Sequence, residues 1–110
     1  MTTRTARAKA KRGAAFLDAK LGRGWRRKIR RKQLDMSSGF CYVGECGCIL
    51  AQLDRSFHDG IYGSYNGGLE AFGVTRPVTL GFAADGRVSD NSAAYADLTE
   101  AWLEVLREKA

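Results

Sequence analysis

The apolar residues of this chain recur at helical spacing in several stretches, and those stretches outline its fold. Ala10, Ala14, Leu17 and Leu21 fall four, three and four residues apart, with Phe16 widening the stripe. That period predicts a helix from Ala6 to Leu21, with Gly22 as its stop and Met1 to Thr5 as a frayed lead-in. Trp25 and Ile29 are four apart and Leu34 follows five later, which predicts a short helix or helical turn between Gly24 and Leu34. Asp35 to Gly39 reads as a loop. Ile49, Leu50, Leu53 and Phe57 predict a helix from Glu45 to Phe57, ended by His58-Asp59-Gly60. Tyr62, Tyr65, Leu69 and Phe72 repeat at three and four and predict another, capped by Gly73. Gly60, Gly63, Gly67 and Gly68 weaken that helix, at about 1 kcal/mol for each interior glycine. The clearest period comes last. Tyr95, Leu98, Trp102, Val105 and Leu106 form one face of a helix that starts at Asn91 or Ser92 and runs to about Lys109, with Asp97, Glu100, Glu104 and Glu108 mostly opposite.

Two stretches read as strands instead. Phe40 to Val43 reads as a short strand, and Val78, Leu80 and Phe82 alternate after Pro77, ahead of the turn signal Asp85-Gly86. The expected architecture is therefore mainly α: a single small helical domain of about four helices, with room for a short two-stranded β element near residues 78–89. Residues 1–23 read as a basic N-terminal helix or arm and residues 24–110 as a compact helical domain. The expected core draws on Leu17, Leu21, Trp25, Ile29, Ile49, Leu50, Leu53, Phe57, Leu69, Phe72, Leu98, Trp102 and Leu106.

A chain of 110 residues that is 45% hydrophobic can build one core. Charge changes the picture more than composition does. Residues 1–32 hold thirteen Lys/Arg against the single acid Asp18, a net +12, while residues 33–110 hold five against eleven, a net −6. Such asymmetry points to a polyanionic partner. The candidate phosphate contacts are Arg4, Arg7, Lys9, Lys11, Arg12, Arg23, Arg26, Arg27, Lys28, Arg30, Arg31 and Lys32. Cations at this density attract phosphate backbones without reading sequence. Trp25 among them either stacks on a base or, sharing a face with Ile29, anchors the core. The competing reading of the charge is internal, with the arm lying on Glu100, Glu104 and Glu108.

Other chemistry is thinly represented. Cys41, Cys46, Cys48 and His58 make a C-x4-C-x-C-x9-H pattern, which has four ligands but no common zinc spacing. No catalytic residue, metal site or cofactor is assigned. The glycines from Gly60 to Gly68 lack the Gly-Lys-Ser/Thr ending of a phosphate-binding loop. No apolar leader segment or membrane-length apolar run is visible, so neither secretion nor membrane insertion is expected. The Arg- and Ala-rich start also fits an organellar transit peptide.

Gly24-Trp25, Ile29, Leu34-Asp35-Met36-Ser37-Ser38, Cys48-Ile49-Leu50-Ala51-Gln52-Leu53, Tyr65, Gly68-Leu69, Leu80-Gly81-Phe82, Tyr95-Ala96-Asp97-Leu98-Thr99 and Trp102 together carry a family resemblance. In patches over about residues 24–105, the chain resembles small uncharacterised proteins of actinobacteria and their bacteriophages. The resemblance implies a cytoplasmic setting in a bacterium or a phage-infected host cell, and no particular reaction. The relatives are more acidic where this chain has Arg26 to Lys32, so the basic stretch is this chain's own.

The expected function is that of a small non-enzymatic nucleic-acid-associated protein, binding without sequence preference through the arm. The alternative is a protein-interaction module that meets an acidic protein surface, such as a phage factor acting on a host complex.

Overall fold

The structure is a computed structural model, and it describes residues 3–42, 44–45, 47–84, 86 and 90–108. Among them are four α-helices: α1 (Arg4–Leu21), α2 (Ile49–Phe57), α3 (Tyr65–Phe72) and α4 (Ser92–Arg107). Two 3-10 helices, Arg23–Lys28 and Arg31–Gln33, follow α1. Strands β1 (Phe40–Tyr42) and β2 (Tyr62–Ser64) pair antiparallel, with Tyr42 opposite Tyr62 and Cys41 opposite Gly63. α1 packs along α4, while α2 is held between the two-stranded sheet, α3 and the first 3-10 helix.

The α1–α4 contact follows from small residues. Ala6, Ala10, Gly13, Ala14 and Leu17 are the buried positions of α1. A Cβ on Gly13 would collide with the Leu80 carbonyl and come within 2.8 Å of the Trp102 ring, so glycine is what permits the approach. Trp102 stacks on Phe82 at 5.6 Å and meets Trp25 edge to face at 6.2 Å, and its indole N–H donates to Gly81 O at 2.6 Å. Thr3 starts α1, its Oγ1 accepting from Ala6 N at 3.1 Å. The expected basic arm is thus helical, and its apolar side belongs to the same core as Trp25, Phe82 and Trp102.

A two-stranded β element is present and is made by residues 40–42 and 62–64, while the described residues of 78–89 contribute no strand to it. Tyr62-Gly63-Ser64 is extended because Gly63 lies against Ala51 O and Arg55 N of α2, where no side chain fits. α3 begins only at Tyr65, with Ser64 Oγ accepting from Gly67 N at 2.9 Å. The alternating Val78, Leu80 and Phe82 sit in turns closed by Leu80 N–Arg76 O, Gly81 N–Val78 O and Phe82 N–Pro77 O bonds of 2.8–3.2 Å. Asp85, residues 87–89 and Lys109 lie outside the described residues. α2 begins at Ile49 rather than Glu45, because Glu45 exchanges backbone hydrogen bonds with Tyr42.

Most of the expected core is buried, and three members differ. Phe57, at the end of α2, is half exposed, while Leu21 and Leu69 pack at the margin. The core also contains Met36, Cys41, Cys48, Val74 and Phe82, together with the polar Gln52 and Asp54.

Candidate nucleic-acid interface

The twelve candidate cations divide according to what the fold does with them. On α1, the alanine stripe lies on α4, which brings the neighbouring cations over the acidic row of α4. Arg7 Nη2 is 3.4 Å from Glu104 Oε1, and Lys11 Nζ is 4.0 Å from Glu108 Oε1. The pairs are four residues apart in both segments, Glu104 in the last turn of α4 and Glu108 just past its end, so the registers match. Arg12 Nε donates to Thr79 O at 3.1 Å. Arg4 is exposed, and Lys9 lines a shallow groove with Thr3, Asn91 and Asp97.

Arg26 is also engaged within the chain. Its Nη2 donates to both oxygens of Asp18, at 3.0 and 3.3 Å, and its guanidinium sits 5.0 Å over the Trp25 ring. The Trp25 indole N–H donates to Asp18 Oδ1 at 2.8 Å. Partial burial pushes the Asp18 carboxyl up, but the bonds from Trp25 and Arg26 and the charges of Arg26 and Arg23 outweigh it and hold the group below its ordinary range. Trp25 itself is buried, which places it as the core anchor and not as a stacking platform.

Arg27, Lys28, Arg30, Arg31 and Lys32 are different. These five cations, within six residues, are all exposed. Among the described residues none of them has an ion-pair partner. They point outward because Trp25, Ile29 and Leu34 point inward and fix the two 3-10 helices on the core. Two side-chain amides complete the anchoring. Gln52 Oε1, on a residue only 2% exposed, accepts from Arg30 N at 2.7 Å, while Gln52 Nε2 donates to Gly47 O at 2.9 Å. Gln33 Nε2 donates to Gly44 O at 3.3 Å, tying the end of the basic segment to the turn after β1. Periodicity gave no hint of Gln52. A glutamine inside an apolar stripe that must be satisfied when buried was the available signal.

One aromatic ring contacts this segment and three more are exposed on the sheet, where helical period assigns Tyr62 to a buried stripe. Lys28 Nζ lies 5.0 Å over the Phe57 ring. Phe40, Tyr42 and Tyr62 share the outer face of the sheet, each between 42% and 53% exposed. The Tyr42 and Tyr62 rings are 5.1 Å apart, and Phe40 and Tyr62 6.1 Å. The signal was the strand alternation itself, with Cys41 inward between two outward rings.

Cys48 caps α2, its Sγ accepting from Ala51 N at 3.4 Å, and burial pushes its thiol up to about 11, so it is a poor nucleophile near neutral pH. Cys41 is buried with Sγ 3.4 Å from Glu45 O, His58 is exposed after α2, and Cys46 lies outside the described residues. Among the described residues no group of three His, Cys, Asp or Glu is placed to hold a metal ion. A groove of about 720 Å³ between the second 3-10 helix and α4 mixes Lys32 with Asp35, Asp97 and Glu100, which disfavours an anion inside it. Among the described residues no helix is long and apolar enough to cross a membrane. Comparison with protein-family models, curated proteins and solved structures returns no match for the chain.

Proposed function

We propose that this chain is a small nucleic-acid-associated protein that acts by binding and holds phosphate backbones on Arg27, Lys28, Arg30, Arg31 and Lys32. The observation that carries the reading is the division of the cations. Arg7 and Lys11 on the inner flank of α1 face Glu104 of α4 and Glu108 at its end, and Arg26 faces Asp18, whereas among the described residues the five charges of the 27–32 segment have no ion-pair carboxylate. Arg23, exposed at the start of the first 3-10 helix, adds a cation to the same stretch of chain. Neutralising phosphates there releases counterions, which favours association without reading bases. The setting that goes with this reading is the cytoplasm of a bacterium or of a phage-infected cell.

The test is a comparison of unrelated duplex sequences. Arg30→Ala combined with Arg31→Ala is expected to weaken binding to all of them alike. Binding left unchanged by this pair would remove the proposal. A second reading, docking on an acidic protein surface, is favoured by the exposed rings beside the cations, since aromatic and arginine side chains dominate protein interfaces.

A further inference from the structure

We infer that the outer face of the two-stranded sheet is a base-stacking platform and that its occupant is an unpaired nucleic-acid strand. This rests on the reading that the 27–32 segment binds phosphates, and it adds what that segment alone does not select, a strand with open base faces.

Strand alternation sends Cys41 and Gly63 inward, Gly63 against the backbone of α2, and leaves Phe40, Tyr42 and Tyr62 on the other side. Their centroids, 5.1 and 6.1 Å apart, form one continuous ring surface, and the tilts of 43° and 47° leave their faces partly open. Ile61, 47% exposed, adjoins Tyr62 in sequence. Covering these rings within the chain would have been favourable, so leaving three adjacent ones half exposed marks a contact surface.

Charge complementarity selects the occupant. The end of the basic segment is tied to the turn that follows the platform's first strand: Gln33, next to Lys32, donates its amide to Gly44 O, two residues beyond Tyr42. At the other end of the segment, Lys28 lies over Phe57, a further half-exposed ring. Cations that follow a backbone beside rings that accept base faces are the two components of single-strand binding. A duplex satisfies the cations but hides its base faces in the stack. Stacking and phosphate attraction do not read the sugar, so the occupant is defined by being unpaired.

The experiment is fluorescence anisotropy of the full chain with a labelled oligothymidylate and with a duplex of the same length. Tyr42→Ala and Tyr62→Ala are each expected to weaken the oligothymidylate on the order of tenfold, leaving the duplex unchanged, while Tyr62→Phe retains wild-type binding. Tyr62→Trp keeps a ring in place should the alanine variants fail to fold. Its added emission is expected to be quenched by oligothymidylate and not by the duplex. Ring substitutions that leave oligothymidylate binding intact, or an unquenched Tyr62→Trp, overturn the platform while duplex binding that depends on Arg30 and Arg31 leaves the phosphate reading standing. Failure of both probes to bind removes both. Sedimentation of the unliganded chain as a dimer that Tyr62→Ala makes monomeric would assign the rings to a second copy and overturn the inference.

Discussion

Arg7 of α1 lies 3.4 Å from Glu104 of α4, and this pair shows that part of the charge asymmetry along the chain is settled inside the fold. Both side chains keep more than a third of their surface in water, at 43% and 35%. An exposed pair of this kind contributes about 0–1 kcal/mol. Arg7→Ala is therefore expected to shift the urea midpoint only slightly, and to weaken DNA binding much less than Arg30→Ala. Equal binding losses for the two would show that the division between inner and outer cations has no functional meaning.

Gly13→Ala should be strongly felt even though alanine is the better helix former by about 1 kcal/mol. The added methyl meets the Leu80 carbonyl and the Trp102 ring, neither of which is a flexible side-chain end. Overpacking a tight contact costs about 1–3 kcal/mol. Urea unfolding followed by tryptophan emission should report a net loss of stability. A stabilised variant would mean that α1 does not sit this closely on Trp102.

Asp18 gives the fold an acid-sensitive clasp. Its carboxyl is held below the ordinary range in the folded state, so its contribution is present above the unfolded value of about 3.9 and is lost as pH falls through the lower folded value. Asp18→Asn is expected to lower stability at neutral pH and to flatten the decline on the acid side. Chemical unfolding at a series of pH values between neutral and strongly acidic reads both effects, and an unchanged acid slope would remove the clasp.

Cys48 should resist alkylation while the chain is folded. Its thiol is buried and pushed up to about 11, so little thiolate exists near pH 8. Peptide mapping after iodoacetamide treatment is expected to find Cys48 unmodified in the native protein and modified in denaturant. Rapid native labelling would contradict its place at the head of α2.

Much of this fold was legible because its helices bury regular stripes. Tyr95, Leu98, Trp102, Val105 and Leu106 mark α4, and the Ala10–Ala14–Leu17 row marks α1. Where glycine intervenes, period misleads. Tyr62 and Tyr65 are three apart, yet Gly63 must pass against α2, and that long-range approach makes Tyr62–Ser64 a strand. Val78, Leu80 and Phe82 alternate like a strand, but local backbone bonds close them into turns, so alternation there reflects two inward visits of an irregular segment. The basic segment was legible as charge. Which of its cations remain available was not, because that depends on α1 lying in register on α4. The ring platform was hidden for the same reason, since it needs β1 and β2 to pair across an intervening helix.

The most direct test of the central claim is the salt dependence of duplex binding. Five engaged phosphates give a log–log slope of about −4 to −5. Alanine at Arg27, Arg30 or Arg31 should reduce that slope by about 1 each, whereas Arg7→Ala and Lys11→Ala should leave it in place. A slope near zero, or one that responds to Arg7 and Lys11 but not to Arg30 and Arg31, would contradict the assignment of the 27–32 segment as the phosphate-binding surface.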